Sequence, residues 1–334
     1  MNESLCYRIY NSLDMNRLVN KLMSATGIIT RLDQSIKCNP VLLNFFSNVI
    51  SEDESIINHA EKYKICLAKN YLNILINSTA CTDFSIDFLN SIFEFIFENE
   101  VKKGKKIIRD GTLAEVDYRY NIKYTTYVYP SHSDINDSLN EVIDFINAKN
   151  KIHPIIKSGI LYISLLLIKP FQFGNDIFAK ILIPFYLIHC NFISSYYSSI
   201  IEETYKKKDL LNEKLKKIYS GNYNDFMCFY LDCLIDSTSK LYDISYEVNN
   251  LYIATEKRID EIFNSNKKMN ILIYLFSNME YTVKGMSECL GVSVMQASRY
   301  VDILKENGII VSNGRQRNAK YIMPDLAAIK KGRT

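Results

Sequence analysis

Lys169-Pro170-Phe171-Gln172-Phe173-Gly174-Asn175-Asp176 stands between two apolar stretches, 154–168 and 177–188. The first stretch is apolar nearly all round, which predicts a helix buried on every side. It must stop at Lys169, because Pro170 disfavours helical backbone in the residue before it. Gly174-Asn175-Asp176 then opens a second buried helix. A Gly-Asn loop feeding a helix start is a ready anion site, since unpaired N–H groups and the helix dipole both favour negative charge. Many helices begin after Gly-Asn or Asp, so this loop alone names no function.

On either side the pattern is helical. Apolar positions recur at three- and four-residue spacing in 41–49, 65–76 and 84–97, and again in 135–146 and 223–248. Between Tyr118 and Pro130 short aromatic and β-branched runs (Tyr124, Thr125, Tyr127, Val128) predict a strand or hairpin. The basic run Lys102-Lys103-Gly104-Lys105-Lys106 is the best linker between an N-terminal helical region, 1–105, and a central domain, 106–250; a third domain follows at 251–334. With 334 residues, 48% of them hydrophobic and only 11 Gly and 6 Pro, the composition favours a mainly α, multidomain protein.

Several functions are excluded by what is scattered or short. Eight cysteines form no Cys-x-x-Cys pair, and none of the four histidines is three or four residues from another. Neither a zinc site, a helical metal pair nor a disulfide framework is expected, and a reducing cytoplasm is. The N-terminal MNESLCYRIYNSLDMNRL has no apolar core or cleavage site, so no secretory signal is expected. The apolar stretches 155–168 and 181–188 fall short of the ~20 residues that span a bilayer and read as buried core helices.

Charge is uneven. From Lys257 to the end there are 13 Lys and Arg against 7 Asp and Glu, a net of +6, while residues 1–256 carry −3. A basic end on a mildly acidic body implies a polyanion partner for that end. Within it, 268–277 predicts an amphipathic first helix, 282–290 a second with Thr282 as N-cap, and Gly291 the turn between helices. Ser293-Val294-Met295-Gln296 is a capping box that opens a third helix running to Glu306. A strand at 309–311, a basic turn at 313–318 and a return strand at 320–322 follow.

This arrangement resembles the winged helix-turn-helix of bacterial transcription regulators, an α+β unit. The resemblance implies that the third helix enters the major groove of double-stranded DNA, with Ser293, Gln296 and Arg299 on one face and Met295 and Tyr300 near it. The wing would place Arg315, Arg317 and Lys320 on phosphates or in the minor groove, three cations within six residues and no acid among them. A winged helix used only for protein contacts or dimerisation has the same pattern.

KPFQFGNDIFAKILIPFYL, from Lys169, resembles the signature of Fic proteins, HPFxxGNGRxxR followed by an apolar helix. Tyr118-Arg119 through Tyr127-Val128-Tyr129-Pro130 is similar to the family's flap hairpin, 135–147 to the helix beyond it, and Ser220-Gly221-Asn222-Tyr223 with 226–235 to the next turn and helix. The resemblance implies a Fic-type helical core with a small β-hairpin flap. In active members it implies transfer of AMP from ATP with Mg2+ to a protein hydroxyl. Phe171, Gly174, Asn175 and Asp176 would shape a nucleotide site. Lys169 stands where the family has its general-base histidine, Ile177 at the first phosphate-binding arginine, Ala179 at the intervening glycine, and Lys180 at the second arginine. Asp53-Glu54-Ser55-Ile56-Ile57-Asn58 is similar to the family's inhibitory motif SSxIEG, with Ile57 at the glutamate.

The expectation is therefore a degenerate Fic protein acting as a DNA-binding regulator, with Lys169 the sole candidate catalytic residue and a homodimer among its partners. The alternatives are an active adenylyltransferase with a protein target, or an ATP-binding sensor without catalysis.

Overall fold

The computed structural model describes residues 4–42, 45–46, 84–102, 107–119, 122–194, 200–312 and 319–331. The chain divides into two compact units, Met1–Asp33 with Ser51–Ser239, and Gln34–Ile50 with Lys240–Thr334. It is mainly helical, with two small antiparallel sheets among the described residues.

The first unit is built on the two apolar stretches that flank the loop. Helix α6 (Pro154–Ile168) buries every residue from Ile155 to Ile168. Pro154 suits its first turn, and His153 Nδ1 accepts from the Ile155 N–H at 3.2 Å. The helix ends at Lys169, whose φ of 44° is left-handed. Helix α7 (Asn175–His189) starts after Gly174, φ 69°, and packs along α6. Asp176 in its first turn complements the dipole.

Around this pair lie α1 (Leu5–Asn11), α2 (Met15–Lys37), α3 (Ile86–Ile96), α4 (Glu98–Val101), α5 (Ile135–Asn147), α8 (Ile201–Lys206) and α9 (Lys208–Tyr219). Three- and four-residue spacing puts Ile135, Leu139, Val142 and Ile146 of α5 on one buried face. Helix α3 is capped by Ser85 Oγ, which accepts from Phe88 N–H at 3.1 Å, and buries Leu89, Phe93 and Ile96.

The hairpin read near Tyr118–Pro130 is present, but it begins earlier. Strand β1 (Ala114–Arg119) pairs antiparallel with β2 (Ile122–Val128), Ala114 opposite Val128 and Asp117 opposite Tyr124. The register shifts between Glu115 and Val116. Ala114–Arg119 alternates apolar or aromatic residues (Ala114, Val116, Tyr118) with charged ones (Glu115, Asp117, Arg119), a short period-2 pattern that extends the hairpin back from Tyr118.

In the second unit α11 (Lys268–Ser277), α12 (Val283–Leu290) and α13 (Val294–Glu306) are followed by β3 (Val311–Ser312), β4 (Tyr321–Ile322) and α14 (Pro324–Lys331). Helix α10 (Asn224–Ile262), whose residues from Lys240 belong to this unit, precedes them and runs well past the 223–248 periodicity, burying Val248 and Ile259. Gly291 takes φ 61° between α12 and α13.

The structure departs from the sequence expectation at two places in this unit. Ile309 and Ile310 are buried turn residues, not strand, because the Ile309 N–H donates to Leu304 O at 2.9 Å in the C-terminal cap of α13. The capping box is only half formed. Ser293 Oγ accepts from Gln296 N–H at 3.2 Å, but the Gln296 amide donates along the helix to Tyr300 Oη at 2.9 Å. The linker residues 103–106, the motif 53–58, the stretch 65–76 and most of 41–49 lie outside the described residues.

Candidate functional site

The loop 169–176 is held in shape from both sides. Asn175 brackets Phe171: its Oδ1 accepts from the Phe171 N–H at 2.9 Å, and its Nδ2 donates to the Phe171 carbonyl at 2.7 Å. Phe171 is buried, stacked on Phe93 at 3.9 Å between centroids. Gly174 must be glycine twice over. Its φ is positive, and a Cβ there would meet the Phe97 ring at 2.4 Å.

The chain at 107–109 runs beside the loop, with Arg109 N–H donating to Pro170 O at 2.9 Å and Gln172 N–H to Ile107 O at 2.8 Å. The Arg109 side chain is buried and donates from Nε to Lys169 O at 3.0 Å and from Nη2 to Pro130 O at 2.7 Å, with Nη1 on Gly111 O. One guanidinium thus ties the loop, the segment before β1 and the end of β2. Burial pulls it below its ordinary value.

Lys169 and Lys180 are both engaged. Lys169 Nζ donates to Glu115 Oε1 at 2.8 Å and lies 4.5 Å from the centroid of the Tyr129 ring. Tyr129 also donates to Glu115, and the Tyr129 and Tyr219 hydroxyls are 3.0 Å apart. Burial pushes the Glu115 carboxyl up, but hydrogen bonds from Lys169 and Tyr129 outweigh it and hold the group below 4.5. Burial, then the Glu115 carboxylate, push the Tyr129 phenol far up, so it stays a donor. Lys180, with a side chain 7% exposed, donates to Asp176 Oδ2 at 2.6 Å.

A cavity of about 560 Å3 opens over this loop, lined by Arg109, Thr112, Lys169, Gly174, Asn175 and Ile177 among others. The structure therefore brings Lys169, Phe171, Gly174, Asn175 and Asp176 to one cavity and leaves Lys180 off its wall. Its two cationic lining residues already have partners, and the first-turn N–H groups of α7 are what remain for an anion. Among the described residues no cluster of three or more His, Cys, Asp or Glu is placed to hold a metal, and no helix is long and apolar enough to cross a membrane.

The sequence missed Arg109, Glu115 and Tyr219. Each is an isolated polar residue whose role comes from contacts 54 to 104 residues away along the chain, and nothing in local spacing marks it.

In the second unit Ser293, Gln296 and Arg299 are exposed at the start of α13, as is Met295. Tyr300 is not with them. It is buried against Phe263 at 5.4 Å, because its position in the helical period faces the core with Ala297, Val301 and Leu304. Lys320 does have an acid, Glu280, which reaches it across 40 residues of chain. Arg315 and Arg317 lie outside the described residues.

No curated protein matches this chain. Among solved structures, a Fic family protein from Desulfovibrio desulfuricans G20 aligns over 92% of this chain and 95% of its own, at 14% identity and TM-score 0.50. At that identity the likeness is one of fold. Residues 134–508 of Fic-1 from C. elegans align over 67% of this chain and 72% of their own, at 17% identity and TM-score 0.47. The stretch that holds the hairpin, the loop and both core helices almost to its end, residues 83–187, matches the model of the Fic/DOC family.

Proposed function

We propose that this chain is a DNA-binding transcription regulator, with a Fic-type domain at 106–250 that performs little or no AMP transfer and a winged helix at 251–334 that contacts duplex DNA. The observation that carries the loss of transfer is the Glu115–Lys169 pair, 2.8 Å long. Lys169 stands at the place of the family's general-base histidine. Its Nζ donates to the Glu115 carboxylate, and an amine held as a donor in an ion pair is not placed to take a proton from a target hydroxyl.

The phosphate side agrees. Ile177 offers no bidentate clamp where the family has arginine. Arg109 faces backbone carbonyls and Lys180 faces Asp176. The charged side chains at the loop thus offer no free clamp for the phosphates of ATP. The intact bracket between Asn175 and Phe171 favours one second reading, a sensor that binds a nucleotide without reacting.

Support for DNA contact comes from the capped start of α13, where Arg299 is exposed and makes no ion pair among the described residues, and from the +6 charge of 257–334. A mobility-shift experiment with the full chain on duplex from its own promoter region tests this. Salt-sensitive binding is the expected result, and no binding at low ionic strength overturns it. Labelled ATP tests the other half: incorporation into protein that Lys169→Ala abolishes would make the chain an adenylyltransferase, and calorimetry with ATP separates the sensor.

A further inference from the structure

We infer that the start of α13 recognises duplex DNA through thymine methyl groups, with Val294 and Met295 as the residues that contact them; this rests on the DNA-binding reading above. Val294 is 61% exposed and Met295 69%, side by side in the first turn of the helix. Val294 does not help the helix locally, since valine is a poor helix former, and a first turn favours acidic residues, of which this one has none. Two large apolar side chains facing water cost the free protein something, and a ligand with apolar groups at matching positions offsets it.

The polar reader that sequence spacing assigns to this face is partly committed, since Gln296 is exposed but its amide has a partner on its own helix. The Gln296 amide donates to Tyr300 Oη at 2.9 Å, which draws its head toward the core side of the helix. A glutamine would read adenine with that amide. Beside Ser293 and Gln296, the start of the helix holds out Val294, Met295 and Arg299. In the major groove an apolar side chain distinguishes thymine by its C5 methyl, and an arginine selects guanine. Asp302 and Glu306 share the outer face farther along, at helical spacing from Met295 and Arg299, and are exposed. They would repel phosphates, so only the N-terminal half of α13 lies against DNA.

Charge complementarity selects DNA over a protein as the occupant. The exposed cation on this face is Arg299, and 257–334 carries a net +6. An apolar pair in a positive field suits a polyanion that displays methyl groups.

The test begins with the full chain and a pool of random duplexes, from which bound sites are recovered. Uracil then replaces thymine one position at a time in the recovered site, removing only the methyl. Burying one methyl group is worth about fourfold in affinity, so about a fourfold loss is expected at one or two positions. Val294→Ser and Met295→Ser should bind the thymine duplex about as weakly as the native chain binds the uracil duplex, and should no longer distinguish the two. Both positions are exposed, and thermal melts of the variants check that folding is intact. Salt-sensitive binding with no response to uracil overturns this inference and leaves the DNA reading standing. No binding to any duplex at low salt overturns both. A loss of self-association in the two variants, with DNA binding unchanged, overturns it in favour of an interface between copies of the chain.

Discussion

Lys169 Nζ and Glu115 Oε1 are 2.8 Å apart, although 54 residues separate them and they sit on a helix cap and a hairpin strand. The pair fastens the hairpin to the loop, and the Tyr127 hydroxyl adds a second fastening through a 2.9 Å bond to Leu167 O. Glu115→Gln keeps the shape but loses the charge, and should lower stability by about 1 kcal/mol, since the pair is partly exposed. The pH dependence has a definite sign. Because the folded Glu115 carboxyl is held below 4.5, its contribution is fully present above that value and is lost as pH falls through the lowered one. Acid melts of the native chain should fall more steeply below pH 4.5 than those of the variant. Parallel acid curves would refute the coupling.

Lys169 has a φ of 44°, which a side chain with a Cβ adopts at a cost of about 1 kcal/mol. Lys169→Gly relieves that cost while losing the ion pair, and Lys169→Ala loses the pair without relief. The glycine variant should therefore be the more stable of the two by about 1 kcal/mol in denaturant titration. Equal stabilities would mean that the αL geometry is not retained in solution.

Much of this was legible in the sequence, for reasons that differ by element. Helix α6 was readable because apolar residues cover every face and Pro170 ends it. Helix α12 and its exit were readable from Thr282 and Gly291, residues whose local chemistry is the same in any context. The state of Lys169 was not, because its partner is a lone glutamate 54 residues away on a hairpin strand. The Gln296 error has the same origin: a capping box predicts the reach back, while the competing acceptor, Tyr300, belongs to the tertiary core. The cations of the wing looked unopposed for want of Glu280, which only the fold brings near.

Gly174→Ala should be among the most damaging single changes in the first unit. The new Cβ would need a left-handed backbone and would lie 2.4 Å from the Phe97 ring, which packs against Phe93 and Phe173 and has little room to yield. Strain and overpacking each cost about 1–3 kcal/mol, so a loss of about 2–5 kcal/mol is expected by chemical denaturation. Asn175→Ala makes a useful comparison, since it removes both bonds to Phe171 with no clash and should cost about 2 kcal/mol.

Arg109→Lys keeps a positive charge but loses the planar fork that reaches Lys169, Gly111 and Pro130 carbonyls together. A lysine amine can reach at most part of that set, leaving partly buried carbonyls without this donor, at about 1 kcal/mol each. The expected effect is local before it is global: faster amide exchange at Gln172 and Arg109, whose N–H groups join the two segments. Unchanged exchange at both positions would show that the backbone bonds hold the loop without the guanidinium.

His153 caps the buried helix α6 through Nδ1, an acceptor only when that nitrogen carries no proton. Burial lowers its pKa below 6.5. In the interval between 6.5 and the lowered value the unfolded chain binds a proton that the folded chain does not. Stability is then at its full level above 6.5 and falls as pH drops through that interval. His153→Asn retains a side-chain acceptor at the cap but cannot titrate. Its melting temperature should be close to that of the native chain at pH 7.5 and should lose less between about pH 7 and 5. Identical slopes in the two proteins would place the acid sensitivity elsewhere.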